Sequence, residues 1–278
     1  YIGSWLKAQK RENLIVATKV TGPMAYFDYI RENLGFSKEV VHDAVEKSLA
    51  RLQTDYIDLY QLHWPERNVN YFGQRNYAHN PEEQWQDNFK EVVETLDGLV
   101  KEGKIRHYGV SNESSWGVMR HLEESKLNQL SRCKTIQNPY SLLNRTFEIN
   151  LSEVSLRENV GLLAYSPMAF GVLSGKYLDG KSPENSRLKL FPNYKRYASD
   201  QCMKLTREYA DLAAGNGLSL AQMSLAFVNQ QPFLTSNIIG ATTMKQLKEN
   251  IASIEVELSA ELLTEIDRLH EMNPNPGP

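Results

Sequence analysis

Residues 56–63 read Tyr-Ile-Asp-Leu-Tyr-Gln-Leu-His and are closed by Trp64-Pro65. The run is short, rich in β-formers and without strict alternation, as expected of a strand buried on both faces of a parallel sheet. Five more runs of this kind are spread along the chain: LIVATKV (14–20), IRHYGVS (105–111), KTIQ (134–137), GLLAYS (161–166) and TSNIIG (235–240). Amphipathic segments lie between them. Residues 38–52 place Val40, Val41, Ala44, Val45, Leu49 and Leu52 on one helical face behind Ser37 as N-cap. Residues 84–102 carry Phe89, Val92, Val93, Leu96 and Leu99 and stop at Gly103. Ser219-x-x-Gln222 and Thr243-x-x-Gln246 each match a capping box, and 259–271 reads as a final helix.

Strand–helix alternation without a break in composition implies one α/β domain over residues 1–278 with right-handed crossovers. About six strand–helix units are visible, whereas a closed (β/α) barrel has eight. At ~30 residues per unit the difference is roughly 60 residues. The chain opens on Tyr1 inside a helical pattern (Ile2, Trp5, Leu6), so the expectation is a TIM barrel whose first two strands are missing from this chain. The competing open sheet would carry a Gly-rich turn after its first strand. That strand instead ends Thr18-Lys19-Val20-Thr21-Gly22-Pro23, and no G-x-G-x-x-G occurs.

Composition narrows the function classes. The 278 residues carry 31 Lys and Arg against 34 Asp and Glu, a formal charge of −3. Nucleic acid and anionic membrane are therefore not expected as main partners. Mean hydropathy is −0.49, ordinary for a globular protein. The longest nearly apolar stretch, 161–173, contains Tyr165, Ser166 and Pro167, too short and polar to span a bilayer. Two cysteines, Cys133 and Cys202, are no disulfide framework, so a reducing, cytoplasmic setting is expected. No metal site is expected, and oligomeric state is not readable.

The polar residues fall in register. Lys19 closes the first strand, His63 the second, Ser111-Asn112 the third, Gln137-Asn138 the fourth, Tyr165-Ser166 the fifth and Gly240-Ala241-Thr242 the last. Barrel enzymes build their sites on this rim. Each residue also has an ordinary reading: Lys19 a solvated charge, His63 a core histidine, Ser111-Asn112 the cap of the next helix, Gln137-Asn138-Pro139 a turn, Tyr165 core packing. An inward Lys19 would need a partner and would have a tunable pKa.

Together these runs resemble the aldo-keto reductases. The motifs are Thr18-Lys19-Val20, Asp58 to Pro65, Gly103-Lys104-Ile105-Arg106, Gly109-Val110-Ser111-Asn112, Gln137-Asn138-Pro139-Tyr140, Ala164-Tyr165-Ser166-Pro167, Ser174-Gly175-Lys176-Tyr177 and Gly240 to Asn250. The wording is especially close to the bacterial Tas-type NADP(H)-dependent reductases, and potassium-channel β-subunits share much of it. The resemblance covers the whole chain. It implies a (β/α)8 barrel that binds NADP(H) and reduces an aldehyde or ketone, a small-molecule carbonyl substrate, to an alcohol. It places the catalytic lysine at Lys19 and the histidine at His63, and puts the family's catalytic Asp and Tyr before the segment matching Tyr1.

Ser111, Asn112 and Gln137 fall where the family holds the nicotinamide carboxamide, and Tyr165 where a ring stacks on the nicotinamide. Ser166, Met168 and Gly171 fall along the pyrophosphate, with Lys176 and Arg187 as cationic phosphate contacts. Gly240, Thr242, Gln246, Glu249 and Asn250 fall on the 2′-phosphate and adenine at a helix start. The same resemblance leaves two alternatives: a polypeptide inactive or unstable by itself, and an NADP-binding regulatory subunit with little turnover. A third alternative, a Schiff-base barrel enzyme with Lys19 as nucleophile, leaves the Gln137, Tyr165-Ser166 and 240–250 pattern unexplained.

The loop WPERNVNYFGQRNYAHNPEEQW (64–85) is long and aromatic. Trp64, Tyr71, Phe72, Tyr77 and Trp85 are read either as a pocket for an apolar carbonyl compound or as rings pinning the loop. Arg67 and Arg75 are read either as cations that attract an acidic substrate or, in preference, as surface charges.

Overall fold

The computed structural model describes residues 1–31 and 33–277. Its contacts divide the chain into two compact units, the first of residues 1–71, 76–137 and 158–160, the second of 72–75, 138–157 and the chain from 161 onward.

The first unit runs α1 (Ile2–Leu6), β1 (Ala17–Val20), α2 (Lys38–Leu52), β2 (Ile57–Leu62), α3 (Phe89–Lys101), β3 (Ile105–Ser111), α4 (Ser115–Leu127) and β4 (Thr135–Gln137). All its strand pairings are parallel, with Lys19 beside Gln61, Gln61 beside Gly109 and Ser111 beside Gln137. Every residue of β2 is buried, which agrees with its unalternating sequence. Helix starts follow local chemistry. Ser37 Oγ accepts from Val40 N at the head of α2, and Ser114 Oγ accepts from Gly117 N at the head of α4. Gly103 ends α3 at φ +73°, where a side chain would be strained.

Asp58 anchors the far end of β2. It accepts from Arg11 (2.7 Å), Arg106 (3.0 Å) and Val16 N (2.9 Å), and both guanidinium groups lie 4.0 Å from the Tyr56 ring centre. Its pKa is lowered even though burial, the largest single effect, raises it, because the Val16 amide and the two arginines outweigh burial together.

The second unit contains α5 (Leu151–Glu158, less its last residue), β5 (Gly161–Ala164), α6 (Arg187–Leu190), α7 (Asp200–Gly215), α8 (Leu220–Asn229), β6 (Leu234–Asn237), α9 (Met244–Ala252) and α10 (Ala260–Met272). Strands β5 and β6 pair in parallel, with a register shift between Leu162 and Leu163. Ser219 and Gln222 form the complete capping box that their spacing predicts.

Three local expectations are corrected. The helix read over 84–102 begins at Phe89, because Asp87 Oδ1 takes the Phe89 amide and holds the preceding residues in a loop. The strand read over 235–240 ends at Asn237, so Gly240 lies in the following loop. The box at Thr243 is half made: Thr243 Oγ1 accepts from Gln246 N, but the Gln246 side chain turns instead to Thr242 N (2.9 Å) and Thr242 Oγ1 (3.0 Å).

Among the described residues no helix is long and apolar enough to cross a membrane, and no group of three or more His, Cys, Asp or Glu is placed to hold a metal ion.

Candidate functional site

In the first unit the parallel sheet brings five of the sequence-read residues to the C-terminal ends of its strands. Lys19 is half-buried on β1, and burial lowers its pKa. No ion pair to Lys19 occurs among the described residues. His63, the first residue past β2, is half-buried as well, and its pKa is pushed down to about 4, first by burial and then by the charge of Lys19. The imidazole is therefore neutral near pH 7, and Lys19 and His63 lie within electrostatic reach of each other.

The ends of β3 and β4 are tied to this pair. Ser111 Oγ donates to Gln137 O (2.8 Å), Asn112 N donates to the same carbonyl (3.1 Å), and Asn112 Nδ2 donates to His63 O (2.9 Å) and Ser111 Oγ (3.1 Å). Asn112 sits at φ +53°, a conformation that Asn tolerates better than most side chains. Ser111 and Asn112 are buried at 2% and 5% exposure. They do not cap α4, whose cap is Ser114. Ser111, Asn112 and Gln137 thus form one hydrogen-bonded group reaching the backbone of His63.

The residue after them corrects an expectation. Arg67 is no surface charge: its Nη1 and Nη2 grip Glu113 at 2.9 and 2.5 Å, its Nη2 reaches Ser114 Oγ at 3.1 Å, and the two side chains are only 9% and 4% exposed. The guanidinium lies 4.8 Å from the Trp116 ring centre and 5.4 Å from that of Phe89. Arg67 and Trp85, with Phe36, Trp64, Phe89 and His121, line a small cavity. Trp64 is buried, its indole N–H on Pro23 O at 3.2 Å. Tyr71 is half-buried, and Phe72 and Tyr77 are exposed. Trp64 and Trp85 therefore pin the loop, and Tyr77 projects to solvent. Arg75 is likewise tied, donating to Pro276 O at 2.5 Å.

The second unit carries the remaining residues. Tyr165 follows β5, its N–H on Asn138 O (3.1 Å) and its carbonyl taking Tyr140 N (3.2 Å). Burial pushes its phenol up to about 12, against the lowering effect of Arg196. Ser166, Ala169, Phe170 and Gly171 all adopt positive φ (56°, 45°, 58° and 89°), so the segment containing Met168 is tightly wound, and the Ala169 and Gly171 amides close turns onto Ser166 O (2.8 Å) and Met168 O (2.7 Å). A Cβ on Gly171 would come within 2.9 Å of Lys176 Nζ; the missing side chain leaves room for that ammonium against the loop. Arg187 lies over Phe170 (4.4 Å) and Tyr194 (5.1 Å).

Around the start of α9, Gln246 holds Thr242, and Asn250 Nδ2 donates to Gly240 O (3.3 Å). Glu249 Oε1 accepts from Ser219 Oγ (2.8 Å), tying α9 to α8. The segment 240–246 contains no acidic residue.

Three residues escaped sequence reasoning. Glu113 reads as a helix-flanking acid and is a buried ion-pair partner. Arg196, in the basic-aromatic run Tyr194-Lys195-Arg196-Tyr197, places its charge where it counters the upward push of burial on the Tyr165 and Tyr197 phenols. Gln61 is a fully buried polar residue within the apolar β2; an uncharged polar side chain inside a strand was the signal available.

The profile described as the Aldo/keto reductase family matches residues 1–271. The chain is 48% identical over 285 residues to "Protein tas" of Escherichia coli K12, covering 100% of this chain and 81% of that protein. It is 35% identical over 272 residues to an "Aldo-keto reductase" of Babesia bovis (92% and 95% covered). It is also similar to a "Probable voltage-gated potassium channel subunit beta" of rice, at 27% over 288 residues (95% and 76% covered).

Proposed function

The chain belongs to the aldo/keto reductase family, and on that premise we propose that it is an NADPH-dependent oxidoreductase that reduces an aldehyde or ketone to the alcohol. The observation that carries this reading is the Lys19–His63 pair at the strand ends, backed by the Ser111–Asn112–Gln137 group. The (β/α) barrel belongs to the same reading, since parallel strands alternating with helices are its building units.

The residues present fit the cofactor. Ser111, Asn112 and Gln137 offer the mixed donors and acceptors that a carboxamide needs, and Tyr165 offers a ring face. Ser166, Met168 and Gly171 shape a wound loop with Lys176 and Arg187 beside it, suited to a pyrophosphate. Gly240, Thr242, Gln246, Glu249 and Asn250 surround a helix start free of acids over 240–246, which favours a 2′-phosphate over a bare ribose. NADPH, when bound, supplies the hydride.

The chain's own residues prepare the carbonyl. Neutral His63 presents a ring N–H to the substrate oxygen, fixing its approach. Lys19 supplies positive charge where negative charge grows on that oxygen, in a half-buried place where such charge counts for more than in water. With the hydride from bound NADPH on the carbonyl carbon, the oxygen, held by His63 beside the Lys19 charge, would take the Nζ proton of Lys19, which water then restores.

A second reading, a nucleotide-binding regulatory subunit with little turnover, rests on the same binding residues and on the likeness to the rice protein. Titration with NADPH and NADH, followed by aldehyde-dependent loss of NADPH absorbance, tests both. Tight NADPH binding with turnover supports the enzyme, binding without turnover supports the subunit, and failure to bind NADPH overturns both.

A further inference from the structure

The two arginines that the sequence offers for an acidic substrate are occupied, Arg67 by Glu113 and Arg75 by Pro276 O. A third, Arg196, is half-buried in the second unit, and no ion pair to it occurs among the described residues. The stretch 187–196 around it carries Arg187, Lys189, Lys195 and Arg196 and no acid.

The place of Arg196 is built by its neighbours. A Cβ on Gly73 would lie 3.1 Å from Arg196 Nε and 3.7 Å from its Cγ, so the arginine stem runs along a residue without a side chain. The guanidinium carbon stands 5.7 Å from the centre of the Phe170 ring, which Arg187 also faces at 4.4 Å. Phe170 meets Tyr197 edge-on, with ring centres 5.0 Å apart. The charge of Arg196 lowers both the Tyr165 and the Tyr197 phenols against burial, so it stands near both.

Tyr197 is 0% exposed, and its hydroxyl has no hydrogen-bond partner among the described residues. The chain end packs on its ring: a Cβ on Gly277 would lie 2.3 Å from Tyr197 Cδ1, and Gly277 N donates to Leu143 O at 3.0 Å. A half-buried cation without a counter-charge is costly to keep, and a buried hydroxyl without a partner is rare. Side by side, the two groups are donors to an anion that the described residues do not supply.

We propose that Arg196 is a substrate anion subsite: the carbonyl compounds reduced by this chain carry a carboxylate, which the Arg196 guanidinium takes with the Tyr197 hydroxyl as a further donor. The proposal rests on the reductase reading for the carbonyl. In that reading Tyr165 is the ring given to the nicotinamide, so a group held beside the Tyr165 phenol lies at the reacting end of the cofactor. Lys176 and Arg187 already serve its pyrophosphate there. The planar fork of a guanidinium matches a carboxylate through two parallel hydrogen bonds.

The test compares 4-carboxybenzaldehyde with benzaldehyde. NADPH-dependent reduction of each is followed in the full chain as wild type, Arg196→Gln, Arg196→Lys and Lys195→Gln, with NADPH affinity titrated separately. Wild type should prefer the carboxylated aldehyde in kcat/KM. Arg196→Gln should raise the KM of that aldehyde roughly tenfold or more, the loss of a charge-assisted pair of hydrogen bonds. Benzaldehyde KM and NADPH affinity should stay near wild type. Arg196→Lys keeps the charge without the fork, should lose less, and gives the reading where Gln does not fold. Lys195→Gln removes an exposed neighbouring charge and should behave as wild type.

An unchanged KM for the carboxylated aldehyde in folded Arg196→Gln overturns the proposal, as does an equal rise for both aldehydes. A loss confined to NADPH affinity moves Arg196 to the cofactor phosphates and overturns it too. So does an equal effect of Lys195→Gln, which would make the attraction one of general charge. If wild type oxidises no NADPH with either aldehyde, the reductase reading fails. Calorimetric binding of 4-carboxybenzaldehyde to wild type and Arg196→Gln then decides the subsite by itself: weaker binding to the variant keeps it, and equal binding removes it.

Discussion

A charge at the end of an apolar strand is usually a solvated one, and what separates Lys19 from that case is its company. Burial lowers its pKa, and its charge in turn lowers that of His63. The two side chains therefore share one environment rather than two stretches of solvent. Replacing Lys19 with Met keeps the length and apolar stem and removes the charge. In the reductase reading, turnover falls by roughly 10²-fold or more while NADPH affinity changes little. Steady-state rates paired with an NADPH titration check this, and a variant with retained turnover would show that the charge is not used. Arg187 and Gln246 are a second residue-scale case. Gln246 holds Thr242 in place at the start of α9, and Arg187 is an exposed cation resting on Phe170 and Tyr194. The double change Arg187→Ala with Gln246→Ala is expected to weaken NADPH more than NADH. Equal weakening of the two, read by titration, places the 2′-phosphate elsewhere.

At the scale of elements, the loop after β2 is fastened to the end of β3 by Arg67 and Glu113. A buried ion pair is costly to break from one side, because the remaining charge keeps its burial and loses its partner. Glu113→Leu alone should therefore destabilise the protein by about 3 kcal/mol, and Arg67→Leu by a similar amount. The double Leu variant should lose less than the two losses added, since neither charge is stranded. Urea denaturation of the four proteins gives the coupling, and strict additivity would mean that the pair is not a unit.

The same loop shows where sequence reading stops. Helix α2 was legible from Ser37 to Leu52 because its signals are local: a serine cap, a single apolar face, a register of four and three. Strand β3 was legible at both ends for the same reason. The partner of Arg67 is Glu113, 46 positions along the chain and just past β3. Nothing in the spacing of Arg67 or Glu113 distinguishes a buried arginine from a solvated one. The strand-end residues Lys19, His63, Ser111 and Gln137 were legible because parallel topology converts position along the chain into position on one rim. The half-made box at Thr243 failed because the Gln246 side chain had a competing acceptor role one residue away, at Thr242.

For the whole molecule, the buried imidazoles set the response to acid. His121 is 3% exposed, its Nδ1 has no partner among the described residues, and its pKa is pushed down to about 3 by burial, with Arg67 and Arg120 adding repulsion. His63 follows at about 4. In the unfolded chain both titrate near 6.5. Between that value and their folded pKa the unfolded state binds more protons, so stability falls as pH drops below about 6.5 and continues to fall until pH reaches the folded values. Asp58 and Asp97, whose pKa values are lowered in the fold, act in the same direction at still lower pH. His121 alone accounts for about 2 kcal/mol of the loss between pH 7 and pH 4.5. His121→Phe keeps a ring against Phe89, where the imidazole now makes an edge contact with centroids 4.9 Å apart, and removes the titrating group. Urea midpoints measured across this range should fall steeply for the wild type and more gently for His121→Phe. Parallel curves for the two proteins would show that His121 takes up its proton without unfolding, and would place the acid sensitivity on His63 and the carboxylates instead.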